Sequence, residues 1–598
     1  MASTIMSTRD LEFLLYEWLD VERLSERKRF AEHSRESYDA LLALCAQLAT
    51  EHFAPHYRKS DVEEPSFDGT TVHLIPEIEE AITRFRQADL LTLSLDEEVG
   101  GMQVPRVVVN ACMTWFAAAN IGTMAYPVLT GANAGLLLEH GTPEQVERFV
   151  KPMLEGRFFG TMALSEPHAG SSLADITTRA VPQDDGSYRI FGRKMWISGG
   201  DHEMGENIVH LVLAKLPDAP AGSKGISLFI VPKFLVNDDG SVGERNDVVL
   251  AGINHKLGSR GTVNTAPVFG DGAFTPGGAA GAVGYLVGEP HRGLPYMFHM
   301  MNAARLAVGI AATATGYTAY LKSLDYARSR PQGRPLTAGD PSTPQVPIVE
   351  HADVRRMLLA QKSYAEGALA LNLYCSTLLD DQQTAETDEE RKLAGQLLDI
   401  LTPIVKSWPS QWCQEGTSLA IQVLGGAGYT RDYDVEQHWR DQRLNPIHEG
   451  SHGIQGLDLL GRKVLGGGGA PLLALAGRIN ATVDAADALG GDPAAYAATL
   501  KSYVDRLGEV TFGLAGLGDP EKIMANASVY LEAAGHLVIA WMWLEQLVAC
   551  DGKEGDFYDG KRQAARYFWH WELPKVGPML DLLASADTTT LDMKDAWF

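Results

Sequence analysis

The chain has few cysteines and no excess of basic residues. It contains five cysteines among 598 residues, and no two of them form a C-x-x-C motif. Such scattered thiols argue against a disulfide framework or a cysteine-based metal site, and they fit a reducing compartment. The formal net charge of −25 argues against nucleic-acid binding, because that function needs a basic surface. An anionic small ligand remains compatible with this charge, since it needs only a few local cations.

The sequence also lacks long apolar runs. No uninterrupted apolar stretch is long enough to span a bilayer, which takes about 20 residues. The N-terminus has no basic region followed by an apolar core, so no secretory signal is predicted. The hydrophobic content of 45% and the charged content of 21% are typical of a globular enzyme. We therefore expect a cytoplasmic protein without a membrane span.

Hydrophobic patterning divides the chain into helical ends and a β-rich middle. Helical spacing dominates residues 1–160, whereas alternating residues and the turn at Asp185-Gly186 indicate strands and a hairpin within residues 161–290. Helical spacing returns over residues 291–465, and glycines separate it from further helices over residues 466–598. We predict a mainly α protein with a central β domain, in which these four ranges are four domains.

Residues 445–464 contain the strongest candidate for chemistry. Asn445-Pro446 marks a turn, because a residue before proline is pushed out of helical geometry. Apolar residues at helical spacing then predict a helix over Ser451–Lys463, with Ser451 as its N-cap. Glu449 thus lies in the turn that enters a helix, which makes it a candidate general base. Gly450 beside it lets another molecule approach the backbone closely.

The same stretch also matches H-E-x-x-H through His448, Glu449 and His452. In zinc peptidases that motif works only inside a helix, where both histidines share one face. Pro446 and Gly450 argue against such a helix, so we predict no metal. A histidine-rich helix cap without chemistry is the other alternative.

Two segments of the β-rich middle contain residues that could contact a flat polar ring. Leu164–Ser172 is extended and rich in small hydroxyl residues, so Ser165 and its backbone can bind ring edges, and Ser171 can meet a phosphate. Lys194–Gly200 places a tryptophan, Trp196, beside a serine and a double glycine. Each segment alone is weak evidence, because a serine-rich strand end is usually just a loop and a tryptophan in a strand is more often part of the core.

The later helical regions add cations and glycines that suit phosphate or adenine. Arg330 follows a long helical segment whose small residues Ala312 and Gly316, four apart, indicate close helix packing. Its fork suits phosphate oxygens, although a basic loop after a helix is the plainer alternative. Arg305 in the same segment is either a solvated cation or a phosphate or adenine contact. Glycines at 425, 426 and 428 let the backbone approach a ligand.

These segments resemble, in their order along the chain, the pattern of the acyl-CoA dehydrogenase family. IHEGSHGIQ resembles the catalytic segment of that family, and the resemblance covers roughly residues 35–465. Residues 466–598 resemble the extra helical domain of the larger members, which include a very-long-chain type and a methylthiopropionyl-CoA type. GINHKLGSRG, MMNAARL and GIQGLDLLGRKV resemble the second type especially.

The resemblance implies a fold and a reaction. The fold has a helical N-terminal domain, a β-barrel-like middle domain, a four-helix bundle and an additional helical domain. The reaction is the FAD-dependent α,β-dehydrogenation of an acyl-CoA thioester to the trans-2-enoyl-CoA in fatty acid β-oxidation, with electron-transfer flavoprotein as acceptor and a homodimer as the assembly. A straight-chain fatty acyl-CoA is the favoured substrate and 3-methylthiopropionyl-CoA the alternative. An acyl-CoA oxidase would instead pass its electrons to oxygen.

The resemblance also assigns roles to residues. Glu449 would remove the α proton, while its backbone N–H and the ribityl 2′-hydroxyl of FAD would hold the thioester carbonyl. Trp196 would lie along the isoalloxazine ring. The other FAD contacts would come from Met162, Leu164, Ser165, Ser198, Arg330, Gln332, Gln422, Gly425, Gly426 and Ser451. Contacts to the acyl-CoA would come from Ser171, Asn302, Arg305 and Gly450.

Overall fold

The computed structural model describes residues 3–598, with His299, Asn302 and Gly467 described by their backbone alone. The chain forms two compact units. We call the first the helical unit; it contains the N-terminal residues through Ala43, Val104–Ala118 and Arg305–Phe598. We call the second the mixed unit; it contains Leu44–Gln103 and Ala119–Ala304.

The helices account for most of the chain and confirm the mainly α class predicted from the sequence. They are α1 Thr8–Glu12, α2 Arg35–Leu48, α3 Tyr57–Val62, α4 Pro76–Gln87, α5 Arg106–His140, α6 Pro143–Gln145, α7 Lys151–Leu154, α8 Gly293–Ser329, α9 Ala352–Thr384, α10 Asp388–Leu424, α11 Val435–Gln442, α12 His452–Leu457, α13 Ala470–Leu489, α14 Gly491–Ala515, α15 Pro520–Met524, α16 Ala527–Ala549, α17 Asp556–Tyr567, α18 Val576–Ala584 and α19 Thr589–Asp592.

The strands lie in the mixed unit, in the predicted β-rich middle and just ahead of it. They are β1 Ser66–Phe67, β2 Val72–His73, β3 Phe158–Ala163, β4 Arg179–Pro182, β5 Tyr188–Arg193, β6 Ile197–Ser198, β7 Asn207–Lys215, β8 Ile226–Pro232, β9 Phe234–Val236, β10 Val242–Arg245, β11 Val248–Ile253, β12 Asn264–Phe269 and β13 Ala282–Leu286. The hairpin predicted at Asp185-Gly186 is confirmed, because β4 and β5 pair antiparallel on either side of that turn.

The largest sheet closes on itself. Its strands follow the order β11-β12-β5-β13-β8-β7-β3, and β6 pairs with β12. Strand β4 pairs with both β5 and β7, so β4, β5, β13, β8 and β7 form a ring. Every residue of β8 is buried, as expected for a strand covered on both faces. This ring is the barrel-like β domain that the resemblance implied.

Close helix packing builds the centre of the helical unit. An added Cβ at Gly309 on α8 would lie 2.3 Å from the carbonyl oxygen of Val405 on α10. At Gly316 it would lie 2.6 Å from the Cβ of Cys413. Glycine is therefore required at both positions, and the close packing predicted at Gly316 is confirmed.

Two helices, α5 and α16, are long and apolar enough to cross a membrane by length and composition, with mean hydropathies of 1.3 and 1.2 over their most apolar windows. In both, 83% of that window is buried inside the fold. Buried core helices commonly have this composition.

Candidate active site

The predicted helix after the Glu449 turn is confirmed. Helix α12 begins at His452, and a π-helical segment continues it over Asp458–Val464. Ser451 occupies the N-cap position, but its side chain makes no capping hydrogen bond. The turn between α11 and α12 therefore carries Glu449 directly ahead of a helix N-terminus.

Glu449 and Gly450 both adopt left-handed backbone conformations, with φ of +53° and +90°. A residue other than glycine rarely adopts positive φ, and such strain concentrates at functional sites. An added Cβ at Gly450 would also lie 2.5 Å from Nε2 of Gln455, so the Gln455 side chain would have to move. The partly buried Glu449 side chain thus projects from a backbone shape that few residues tolerate.

This shape removes the physical basis of the zinc-peptidase alternative. The left-handed residues end any helix before His452, so His448 and His452 do not share a helical face. Within residues 3–598, no group of three or more histidine, cysteine or acidic side chains is arranged to hold a metal ion.

Side chains from two helices hold the turn. Lys406 on α10 is completely buried, and its ammonium donates to the carbonyl oxygens of Asn445 and Gly450, at 2.8 Å each. Gln455 on α12 donates from Nε2 to the carbonyl oxygen of Glu449 at 3.0 Å. The backbone on both sides of the carboxylate is therefore fixed by hydrogen bonds.

The surroundings of the Glu449 carboxyl raise its pKa above the ordinary value. Burial raises the pKa of Glu449, and the positive charges of Lys406 and Arg305 oppose the rise. Burial also lowers the pKa of Lys406 to about 7, although the nearby Glu449 opposes that change. A carboxylate whose pKa lies closer to working pH is a better proton acceptor.

Arg305 is buried, so the alternative that it is a solvated cation is wrong. Its side chain is 5% exposed, and Nη1 donates to Oδ2 of Asp458 at 2.9 Å. Its buried Nε has no hydrogen-bond partner among the described atoms. The adenine or phosphate contact stays a prediction, as does the role of Asn302, whose backbone lies in α8 and whose side chain is outside the described part of the chain.

In the mixed unit, the fold brings the two predicted ring-binding segments together. Met162 lies in β3, and the chain continues through Leu164 and Ser165. The backbone N–H of Met195 donates to the carbonyl oxygen of Ser165 at 3.0 Å. Lys194 donates from Nζ to the carbonyl oxygen of Leu164 at 2.9 Å. The two segments, distant in sequence, thus form one surface.

Trp196 faces solvent on this surface. Its φ is +67°, its side chain is 63% exposed, and Ser198 follows in β6 with its hydroxyl accepting from Asn264 at 3.1 Å. The alternative that Trp196 is part of the core is therefore wrong. An exposed indole in the segment that bonds Ser165 and leads into Ser198 fits a flat, polar-edged ring such as the isoalloxazine of FAD.

The remaining predicted ligand contacts are exposed. Ser171 lies in the loop after β3, and Arg330 and Gln332 follow α8. On α10 and its C-terminal end, Gln422, Gly425 and Gly426 are also exposed, and nothing lies within 4 Å of an added Cβ at either glycine. These positions leave their backbone open to a ligand, and their roles stay predictions.

Sequence reasoning missed two buried lysines that shape these surfaces. Lys406 interrupts an apolar stretch of α10, and Lys194 forms an ion pair with Glu166 at 3.0 Å. Burial alone would raise the pKa of Glu166, but Lys194, Thr177 and Thr178 hold it at about 2. A lone lysine in an apolar run, as in PIVKSW, is the signal that could have marked the first.

Profiles of known families match most of the chain. The acyl-CoA dehydrogenase N-terminal, middle and C-terminal domains match residues 35–157, 161–271 and 291–465. A domain described as acetyl-CoA dehydrogenase C-terminal like matches residues 475–594.

The chain is also similar to relatives across its length. It is 35% identical over 577 residues to the 3-methylmercaptopropionyl-CoA dehydrogenase of Ruegeria pomeroyi, covering 94% of both chains. It is 33% identical over 614 residues to the broad-specificity linear acyl-CoA dehydrogenase FadE5 of Mycobacterium tuberculosis, covering 99% of both. It is 25% identical over 401 residues to the CarC subunit of the caffeyl-CoA reductase-Etf complex of Acetobacterium woodii, covering 65% of this chain and 93% of that one.

Solved structures show the same fold. Caenorhabditis elegans ACDH-11 in complex with C11-CoA has a TM-score of 0.75 at 17% identity, covering 94% of this chain and 90% of that one. An acyl-CoA dehydrogenase complexed with FAD from Bacillus anthracis has a TM-score of 0.73 at 18% identity, covering 96% and 91%. From the four matching domains and the full-length relatives we conclude that the chain belongs to the acyl-CoA dehydrogenase family and is an FAD-dependent oxidoreductase acting on the CH–CH bond of an acyl-CoA.

Proposed function

We propose that Glu449 is the base that removes the α proton of a straight-chain acyl-CoA thioester, giving the trans-2-enoyl-CoA. The observation that carries this proposal is a carboxylate with a raised pKa on a left-handed turn that two buried side chains fix. Once it is ionised, this carboxylate accepts the α proton.

The thioester carbonyl must be stabilised while the α proton leaves. We propose that the backbone N–H of Glu449 donates to the carbonyl oxygen, and that Gly450 gives the thioester room to approach. One such donor is worth about 3 kcal/mol of transition-state free energy. Arg305, in its buried ion pair with Asp458, is proposed to orient the acyl-CoA with Asn302 and Ser171.

The residues of the mixed unit would hold FAD. Trp196 would lie along the flavin ring, Ser198 would bond near N5, and Met162, Leu164 and Ser165 would meet its pyrimidine edge. When bound, FAD supplies the acceptor for the β hydrogen, which leaves as hydride. On the helical unit, the exposed Arg330, Gln332, Gln422, Gly425 and Gly426 are proposed to bind FAD of a neighbouring subunit, and Ser451 to bind FAD beside Glu449.

Three further assignments belong to the same proposal. The enzyme passes electrons to electron-transfer flavoprotein, which is supported by the similarity to a subunit of an Etf complex. It works as a homodimer, supported by the open, exposed glycines at the end of α10. It acts in the cytoplasm, supported by five buried cysteines that are not joined in disulfides.

A second substrate has specific support. The similarity to a 3-methylmercaptopropionyl-CoA dehydrogenase favours 3-methylthiopropionyl-CoA, whereas the similarity to a linear acyl-CoA dehydrogenase covers slightly more of the chain. Both substrates carry the α and β hydrogens that the reaction needs.

The test is anaerobic titration of the purified holoenzyme with straight-chain acyl-CoAs and with 3-methylthiopropionyl-CoA. We expect straight-chain substrates to bleach the flavin bands at lower concentration than the thioether. Bleaching by the thioether alone would select the second substrate. Rapid reoxidation by oxygen with stoichiometric peroxide would indicate an oxidase, and a colourless protein that binds no FAD would contradict the proposal.

A further inference from the structure

We propose that Lys406 is a positioning residue: its ammonium clamps both ends of the Glu449 turn and so sets the direction in which the base points. This inference rests on the proposed function of Glu449. Lys406 acts through the backbone of the turn and is not itself assigned a contact with substrate.

The clamp follows from the two carbonyls that share one ammonium. Asn445 stands where the turn begins and Gly450 where it ends, and both carbonyl oxygens lie 2.8 Å from Nζ of Lys406. Because Lys406 lies in the continuously buried stretch of α10 from Ile400 to Ser410, the ammonium is held on a rigid support. Hydrogen bonds between a charged donor and carbonyls are among the stronger ones in proteins. A single side chain therefore closes the turn.

A second side chain fixes the turn from the other side. Gln455 donates from Nε2 to the carbonyl oxygen of Glu449 at 3.0 Å and lies 3.4 Å from that of Gly450. The Asn445 side chain also donates to Oε1 of Gln442, at 3.0 Å. Strained backbone persists only where its surroundings fix it firmly. Lys406 and Gln455 are the groups that do so here.

The burial of Lys406 needs an explanation beyond stability. A buried ammonium loses its hydration, and an apolar side chain at such a position often stabilises a core equally well. Lys406 faces no buried carboxylate at ion-pair distance among the described ion pairs of the helical unit, unlike Lys561, which bonds Asp10 and Glu366. Its partners are instead the carbonyls of the turn that carries the base.

Lys406 also acts on the charge of the base. Among the described residues of the helical unit, the titratable and charged groups around this cluster include Glu449 and His448 in the turn and Arg305 on α8. Asp458, which pairs with both Arg305 and Arg462, and His452 at the start of α12 complete the set. The positive charge of Lys406 lowers the pKa of Glu449. Its removal must raise that pKa further, so the ionised base would form only at higher pH.

The experiment replaces Lys406 in the full-length holoenzyme by methionine, which keeps the length and removes charge and donors. We expect K406M to retain FAD and acyl-CoA binding but to lose kcat about tenfold or more, since misplacement by about 1 Å costs about 100-fold. We also expect the acidic limb of its kcat–pH profile to move to higher pH. K406R, which keeps charge and donors, should recover part of kcat and restore the limb.

Two further variants separate the roles. Gln455→Met removes the second set of hydrogen bonds without changing a charge, so kcat should fall while the acidic limb stays in place. Lys463→Met makes the same chemical change in the segment after α12, where the lysine pairs with Asp399, and should leave both kcat and the limb unchanged. A merely stabilising Lys406 would lower the unfolding temperature of K406M without moving the limb.

Wild-type kcat and an unmoved limb in a folded, FAD-containing K406M would overturn the inference. If K406M does not fold, Lys406→Gln removes the charge and one of the two hydrogen bonds, and wild-type kcat together with an unmoved limb in that variant would overturn the inference equally. A fully active Glu449→Gln would instead overturn the proposed base. An inactive Glu449→Gln together with normal Lys406 variants would overturn the positioning role alone.

Discussion

The direction of the Glu449 side chain depends on the backbone conformation of Glu449 and Gly450. Two consecutive residues with positive φ point the carboxylate away from the direction that a continuous helix from Asn445 to Val464 would give it. Gly450 makes this possible, because glycine adopts a positive φ without strain and leaves the Gln455 side chain in its place.

Replacing Gly450 by alanine tests this directly. The new Cβ would be strained at φ of +90° and would lie 2.5 Å from Gln455 Nε2, so we expect a loss of about 1–3 kcal/mol of stability and a large loss of kcat. Denaturant unfolding and steady-state kinetics measure the two effects. The matched control is Gly453→Ala on α12, where the nearest atom to an added Cβ is Ser528 Oγ at 3.9 Å. Equal behaviour of the two variants would contradict the account.

One buried ion pair, between Lys194 and Glu166, joins the two segments of the proposed flavin surface. Glu166 follows β3 and accepts hydrogen bonds from the backbone and hydroxyl groups of Thr177 and Thr178. Lys194 reaches it from the segment ahead of β6, and also bonds the carbonyl of Leu164. The pair thus fixes the position of Ser165 relative to Trp196.

Lys194→Met should damage this surface. It leaves the buried Glu166 carboxylate without its cation, which typically costs about 3–5 kcal/mol, and it frees the Leu164 segment. We expect a lower unfolding temperature and a lower FAD content, measured by thermal unfolding and by the ratio of flavin to protein absorbance. The double variant Glu166→Gln/Lys194→Met removes both charges and keeps an oxygen that accepts from Thr177 or Thr178, so it should recover part of the stability but little of the FAD content. Full FAD occupancy in the single variant would show that the pair does not support the flavin surface.

Across the whole molecule, the proposed function needs a second subunit. Arg330 is exposed at the end of α8, and its proposed ligand is the FAD pyrophosphate of a partner. Arg330→Ala should therefore lower the flavin that remains bound after gel filtration, because the bidentate contact to phosphate is lost. Arg334→Ala, an exposed arginine in the same loop, is the matched control. Unchanged flavin occupancy in the Arg330 variant would count against the assignment.

Local sequence patterns were enough to predict many of the elements and the family. The hairpin at Asp185-Gly186 and the helix after Ser451 are confirmed because turn chemistry and periodicity act over a few residues. The order of motifs predicted the family, the fold and the cofactor, and the comparisons confirm all three. Periodicity alone predicted helices and strands but none of the candidate site residues.

The features that could not be predicted from the sequence depend on contacts between segments that are distant along the chain. Lys406 lies 43 residues before Glu449, and no local pattern shows that it bonds the turn. The exposure of Trp196 and the ion pair of Arg305 with Asp458 likewise arise only when separate elements meet. Burial, and hence each pKa shift, is a property of the folded chain and not of a motif.

The most direct test of the central claim is the anaerobic reaction of wild-type enzyme and Glu449→Gln with the best acyl-CoA substrate, followed in the visible spectrum. Both proteins should be yellow and bind the substrate. We expect the wild-type flavin bands to bleach, whereas Glu449→Gln keeps its bands because no base removes the α proton. Bleaching of Glu449→Gln at the wild-type rate would contradict the account.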